Sequence, residues 1–402
     1  MTNVFEGVRI VELAQWVFVP SATALLADLG ADVVKVEDPR TGDPARGLHT
    51  QGFGINLGTV DPRVEQNNRG KRSVGIDIKQ LSGRETLLRL VEGADVFATS
   101  FRPASLERLG LSVEALRERN PALIYARGHG VGVRGPQANR PSYDATAFWA
   151  RGGVGHTVAP PDFDRALTQR PAFGDHTSAM NLAFGIASAL FRRAATGEPS
   201  VVDVSLLATA MWVLSADIVS CGNRDYDPHA AYRGPANPLV GGYETSDGRH
   251  LSFVMLQPER YWAPFCNGIG RADLLDDPRF ADAGKRRENA ATLVEILRGE
   301  FAARPYAEWC ERLENLDIPW APVQSAREVR DDPQARANGY LATLDGDDGS
   351  RYELVSNPCQ FDEHTPSLSP APEVGAHTEE VLLELGMGWE AIADLKKSGG
   401  IT

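Results

Sequence analysis

Gly174-Asp175-His176-Thr177-Ser178 is the stretch of this 402-residue chain whose residue types and position come nearest to chemistry. It directly precedes Thr177 to Ala195, where Ala183, Ile186, Ala187 and Leu190 recur at helical spacing and Gly197 supplies the stop. An aspartate at that point has two readings. It can be an N-cap whose carboxylate accepts hydrogen bonds from the free N–H groups of the first turn. It can also be a carboxylate kept ionised by the helix N-terminus and used as a nucleophile. The residues alone leave both open.

Other chemistries fail on pattern. Gly130-Val-Gly132-Val-Arg-Gly135 matches a dinucleotide fingerprint in letters, but Pro136, Asn139 and Pro141 follow where that fingerprint needs a helix. The segment reads as a turn. Walker A, GxSxG and HExxH sequences are absent. The eight histidines are scattered singly, which gives no metal site by spacing. Cys221, Cys266, Cys310 and Cys359 lie more than forty residues apart, as expected of reduced thiols in an intracellular protein.

The elements that must position Asp175 follow from the periodicity. Val8–Leu13, Asp32–Val36, Ser73–Ile78, Asp95–Ala98, Ala122–Ala126 and Val201–Val204 read as strands. Between them, a helix opening at Pro20 carries Ala22, Leu25, Leu26 and Leu29, and Gly83–Val91 and Val113–Arg119 read as further helices. This alternation predicts an α/β fold with a parallel, doubly wound sheet. Leu206–Ile218 reads as helical. The texture changes near Asn223, where Pro, Gly and Asn cluster around Arg233 to Gly242; a strand pair then flanks Asp247-Gly248, and helices carry Trp262 and Trp309. Residues 224–325 are expected to form a smaller domain. Glu379–Leu385 is expected as a helix capped by Thr378 and closed by Gly386.

Composition bounds the setting. Apolar residues make up 42% and charged residues 24%, which is globular, and the length calls for two or three domains. A net charge of −13 speaks against nucleic acid as a partner. No apolar run is long enough to span a membrane, and no signal peptide is visible, so a cytoplasmic location is expected.

Motifs spread along the chain resemble the family III CoA-transferases, which include formyl-CoA and carnitine CoA-transferases and the related α-methylacyl-CoA racemases. They are Gly7-Val-Arg-Ile-Val-Glu-Leu, Leu-Ala-Asp28-Leu-Gly30-Ala-Asp-Val-Val-Lys35-Val-Glu37, Gly42-Asp43-Pro-Ala-Arg46 and Arg69-Gly-Lys71-Arg72-Ser. Phe101-Arg102-Pro103, Leu109-Gly110-Leu111, Tyr143-Asp144, Gly174-Asp175, Val202-Asp-Val-Ser205 and Asp332-Pro333-Gln334 continue the series. The resemblance implies an interlocked homodimer of ring-like chains. Each would have a discontinuous Rossmann-like domain (1–223 and 326–402) and a smaller α+β domain (224–325). It implies a CoA thioester as substrate, a carboxylate acceptor, no permanently bound cofactor and no metal. Asp175 would be the nucleophile of covalent aspartyl intermediates.

The same resemblance implies a CoA site. Trp16, Val17 and Phe18 would give main-chain and apolar contacts, and Lys79, Ser100, Phe101 and Arg108 would meet the nucleotide end. Tyr143 and Asp144 would stand near the thioester, with Arg140 as a nearby cation. Asp38 replaces a basic residue that serves the CoA phosphates in some relatives; Arg40 is the substitute the sequence offers. The stretch Phe253-Val-Met-Leu-Gln257 lacks the glycine run of the formyl-CoA enzymes, which argues against that oxalate-handling subgroup. Tyr143 stands where the racemases carry a histidine base, which favours transfer. The alternatives are a 2-methylacyl-CoA racemase using another base, such as His129 or His156, and a non-catalytic CoA-binding paralogue.

Overall fold

The computed structural model describes residues 3–51, 60–160, 162–229, 237–346 and 349–402. The chain divides into two compact units: 1–159, 165–219 and 334–402 form one, and 160–164 with 220–333 the other.

The larger unit is built on six parallel strands: β1 (Arg9–Leu13), β2 (Asp32–Glu37), β3 (Arg72–Gly75), β4 (Val96–Thr99), β5 (Ile124–His129) and β6 (Val201–Ser205). Their order is β3-β2-β1-β4-β5-β6, so the winding reverses between β1 and β4. Both faces are covered, which is why the strands are near-continuous apolar runs. On one face Ile10, Val33, Val96, Ile124 and Ala126 meet Val19, Ala22 and Leu26 of α1 (Phe18–Ala27). On the other, Val11, Val34, Val74, Phe97 and Tyr125 form a separate core.

Between β2 and β6 run α2 (Pro62–Asn68), α3 (Leu81–Glu92), α4 (Pro103–Leu109), α5 (Val113–Arg119), α6 (Val154–Thr157) and α7 (Phe173–Thr196). In α7 the buried stripe is Ala179, Leu182, Ile186 and Ala189, with Ala183 and Leu190 packed beside it. The helix starts four residues before the expected Thr177, which places Asp175 inside it. The stretch Leu206–Ile218 is two helices, Leu206–Val213 and Ser215–Ser220, interrupted at Leu214.

Residues 378–384 and 389–397 are helical, and Val381, Leu382, Ile392 and Ile401 join the second core face. His377, not Thr378, holds the cap position of the first of these. The Thr378 hydroxyl donates to the Gly375 carbonyl at 2.7 Å and accepts from the Gly75 N–H at 3.0 Å.

In the smaller unit, β7 (Val240–Glu244), β8 (His250–Val254) and β9 (Trp320–Pro322) form an antiparallel sheet. Gly248 closes the hairpin at φ +76°, a conformation glycine adopts without strain. Its core is aromatic, with Tyr243 stacked on Phe301 at 5.0 Å and Trp309 fully buried. The earlier Arg233–Ala236 part of the Pro-Gly-Asn cluster lies outside the described residues.

Candidate active site

Ala172, in a left-handed conformation at φ 65°, turns the chain into α7, and Asp175 is the third residue of that helix. The side chain at the cap position makes no capping hydrogen bond, so the N-cap reading of Asp175 is overturned. The expectation of a carboxyl kept ionised by the helix end also needs correction. Burial, reinforced by the charge of Asp144, pushes the Asp175 carboxyl up to about 7.

Asp144 is buried and accepts a hydrogen bond from the Gly174 N–H through Oδ2 at 3.2 Å. Burial pushes its own carboxyl up as well. Gly174 is required by space: a Cβ there would stand 2.3 Å from Phe148 Cγ and 2.4 Å from Asp144 Oδ1. Tyr143 precedes Asp144, is 58% exposed, and meets the Trp16 indole edge to face at 5.6 Å.

Trp16 follows β1 with φ +72°, a costly conformation for a bulky residue, worth about 1–3 kcal/mol. Its N–H donates to Asp43 Oδ1 at 3.0 Å. Asp43 belongs to a fully buried charge network. Lys35 Nζ lies 2.9 Å from Asp43 Oδ2 and 2.7 Å from Glu12 Oε1, while Lys71 Nζ lies 2.7 Å from Glu12 Oε2. Burial opposes the charge on Glu12, but Lys35 and Lys71 prevail and hold its carboxyl down to about 2. The cations of the Arg69-Gly-Lys71-Arg72 motif are thus structural: Arg69 grips Asp28 at 2.8 Å, and Arg72 reaches Asp32 at 2.7 Å and Glu384 at 2.7 Å.

Two cavities open at the carboxyl ends of the strands, on either side of the point where the winding reverses. Open α/β sheets bind ligands in that crevice. The first, about 270 Å³, lies over β1, β2 and β3 and is lined by Leu13, Val36, Asp38, Ile76, Asp77, Ile78, Lys79 and Phe101, among others. The second, about 350 Å³, is bounded by Trp16, Ser100, Arg102, Ser105, His129, Arg140 and Tyr143. Gln15 and Phe101 line both. Among the described residues no carboxylate lines the second cavity, whereas Glu37, Asp38, Asp43 and Asp77 line the first.

The structure brings together Trp16, Ser100, Phe101, Arg140 and Tyr143, with Lys79 in the adjoining cavity. The Ser100 hydroxyl accepts from the Gln15 N–H at 3.0 Å and so ties the loop after β1 to the end of β4. Phe18 is drawn elsewhere: its side chain is buried in the core under α1. Val17 sits at the cap position of α1, where no side chain caps the helix. Arg108 is exposed on α4, 3.4 Å from the Ser105 hydroxyl, and lines neither cavity. Arg40 is 69% exposed and leans on Asp38 at 3.6 Å and Asp77 at 3.8 Å. Lys79 faces Asp38 at 3.9 Å.

Gln15 and Ser105 are wall residues that motif reading passed over, and Arg102, quoted only as part of a motif, and His129, named only as an alternative base, join them. Their signal is positional, because each lies at or just after the carboxyl end of β1, β4 or β5. His129 is also tied to its neighbouring strand, with Nε2 3.3 Å from Asp203 Oδ1. Among the described residues no group of three or more His, Cys, Asp and Glu side chains could hold a metal, and no helix is long and apolar enough to cross a membrane.

A parallel sheet wound in the order 3-2-1-4-5-6, with paired cavities at its reversal, is the architecture in which α/β enzymes hold extended ligands. The chain belongs to CoA-transferase family III, whose sequence model matches residues 5–378. It is a CoA-transferase by class, and that class acts on CoA thioesters. It is 34% identical to the (R)-2-hydroxy-4-methylpentanoate CoA-transferase of Clostridioides difficile over 98% of both chains. It is 31% identical to the cinnamoyl-CoA:phenyllactate CoA-transferase of Clostridium sporogenes, covering 100% of this chain and 98% of that one. Among solved structures, a Mycobacterium tuberculosis protein superposes with TM-score 0.80 at 30% identity, over 94% of this chain and 98% of that one. A CAIB/BAIF family protein from Brucella suis gives 0.79 at 28% identity, over 96% and 100%.

Proposed function

We propose that this protein moves CoA between carboxylic acids through covalent intermediates on Asp175. The observation that carries the reading is the state of that carboxyl. It is half-buried, sits beside a second carboxyl, and receives no hydrogen bond or ion pair to its side chain from a described residue. A carboxylate partly withdrawn from solvent, with no cation beside it, is a stronger nucleophile than a fully hydrated one.

In this scheme one oxygen of ionised Asp175 attacks the thioester carbonyl. The C–S bond breaks, CoA leaves as the thiolate, and an acyl-aspartyl anhydride remains. The thiolate then attacks the aspartyl carbonyl, which releases the donor acid and leaves an aspartyl-CoA thioester. An incoming carboxylate displaces the thiolate, forming a new anhydride. Thiolate attack on the acyl carbonyl of that anhydride yields the new acyl-CoA and frees Asp175. Each step exchanges a carboxylate for a thiolate, so no proton has to move.

CoA is long enough to span both cavities across Gln15 and Phe101. The flat apolar walls Leu13, Val36, Ile76 and Phe101 suit a heterocycle, and Arg102 and Arg140 in the carboxylate-free cavity suit phosphate oxygens. The two relatives named above act on 2-hydroxy acids. We take 2-hydroxy acids as the substrate class here, in keeping with the missing glycine run at Phe253–Gln257. A second copy of the chain is the expected cover for Phe184, Phe191 and Trp212, each 74–77% exposed on α7 and the helix after β6.

Incubation with a 2-hydroxyacyl-CoA donor followed by hydroxylamine tests the mechanism. A hydroxamate on the peptide holding Asp175 is expected, and an unmodified Asp175 despite turnover would sink it. Deuterium exchange at the α-carbon without any acceptor acid would support the racemase instead.

A further inference from the structure

We propose that Asp43 is a positioning residue: its buried hydrogen bond holds Trp16 in a left-handed backbone conformation that sets the indole against Tyr143 as a wall of the second cavity. The inference rests on the CoA-transfer reading of that cavity.

Among the described residues only Trp16, Ala172, Asp362 and Glu363 have positive φ without being glycine. Two of these four flank the candidate site. Strain persists where the surroundings over-determine it, and it concentrates where a side chain must be aimed. Trp16 is over-determined from one side. Asp43 Oδ1 accepts from the Trp16 N–H at 3.0 Å and from the Ala45 N–H at 2.9 Å. The carboxylate is itself fixed: Oδ2 takes Lys35 Nζ at 2.9 Å, and the Asp43 N–H donates to Glu37 Oε1 at 2.9 Å. Lys35 is anchored in turn by Glu12 and by the Ala14 carbonyl at 3.1 Å, two residues before Trp16. The loop after β1 is therefore gripped at Ala14 by Lys35, at Gln15 by Ser100 and at Trp16 by Asp43. Only the last of these grips the residue with the unfavourable φ. The indole so placed stands edge to face with Tyr143 and lines the second cavity with it.

Asp43 also balances charge, because Glu12 and Asp43 face Lys35 and Lys71 in one buried group. A simple deletion would confound the two roles. Two double variants separate them: Lys35→Met/Asp43→Asn and Lys35→Met/Asp43→Leu. Both leave Glu12 paired with Lys71 and no buried charge uncompensated. They differ in the acceptor offered to the Trp16 N–H.

The Leu variant is expected to raise KM for the acyl-CoA about 10- to 100-fold over the Asn variant, the scale of a contact misplaced by an ångström. It should also shift the Trp16 indole N–H resonance away from its position in the Asn variant. Equal KM and equal resonance in the two would overturn the proposal, as would a Leu variant that differs only in melting temperature. If the Leu variant does not fold, adding Trp16→Gly should restore folding, since glycine takes the turn unaided. Failure of that triple variant would show that Asp43 serves the fold apart from Trp16, and would equally overturn the claim. A wild-type protein that turns over no acyl-CoA would reject the CoA-transfer reading, and the indole resonance would still report on Asp43.

Discussion

Asp144 accepts a hydrogen bond from the Gly174 N–H, and its charge raises the pKa of the adjacent residue, Asp175. The backbone bond fixes where the second carboxyl stands, and the like charge discourages its ionisation. Burial is the larger cause of the raised Asp175 carboxyl, and Asp144, held by that backbone bond, adds to it.

Activity that needs ionised Asp175 should rise with pH through about 7 in the wild type. Asp144→Asn keeps an oxygen for the Gly174 N–H and removes the charge. The acid limb of kcat/KM is expected at lower pH in that variant. A limb that stays in place would show that burial alone sets the Asp175 carboxyl.

Stability should respond in the opposite sense to activity. The Asp175 carboxyl is raised from its ordinary 3.8 to about 7 on folding. Below about pH 4 both states are protonated and nothing is lost. Between pH 4 and 7 the unfolded chain sheds the proton while the folded chain keeps it, so stability falls as pH rises, levelling off above 7. Asp175→Asn removes this penalty. It should be more stable than wild type at pH 8 by about 2 kcal/mol, roughly half the ~4 kcal/mol this shift would give a fully buried group, because the side chain is only half-buried, with no gain at pH 3.5, as read by urea titration.

Gly174→Ala tests the close approach at the start of α7. Its new Cβ would meet Phe148 and the Asp144 carboxylate at 2.3–2.4 Å. A loss of about 1–3 kcal/mol in stability is expected from overpacking. A fall of about 100-fold in kcat should accompany it as the two carboxyls separate. Thermal melts and steady-state kinetics on one preparation check both.

Asp38 leans toward both Arg40 and Lys79 at the rim of the first cavity, at 3.6 and 3.9 Å. It thereby competes with any phosphate those exposed cations could meet. Asp38→Asn should lower KM for acyl-CoA about threefold to tenfold at low salt, the scale of a loose surface pair. The gain should vanish near 0.5 M salt.

Periodicity located the strands and helices that position the site, because cores facing helices on both sides write themselves as apolar runs such as Ile10-Val11 and Val33-Val34. Boundaries were harder. A local rule that favours aspartate at helix caps put Asp175 outside α7, whereas Ala172 turns the chain earlier. Lys35, Lys71 and Arg69 stand in the quoted motifs, but nothing local reveals that Glu12 or Asp28 waits opposite in the folded sheet. For the same reason nothing local shows that the Phe18 side chain packs into the core, which leaves only its main chain for the expected contact. Asp43 and Trp16 are 27 positions apart, and the backbone strain that links them has no signature in residue type.

The discontinuous larger unit has a consequence for biosynthesis. All six strands of its sheet have been made once Ser205 is added, yet Val381, Leu382, Ile392 and Ile401, which cover part of one face, come about 175–195 residues later. At 5–20 residues per second, that patch stays incompletely covered for roughly 10–40 s on the ribosome. During that interval Val74, Ile76 and Leu90 lack part of their apolar cover. Chaperone dependence in vivo, and aggregation of nascent chains stalled before residue 378, are where this delay should register.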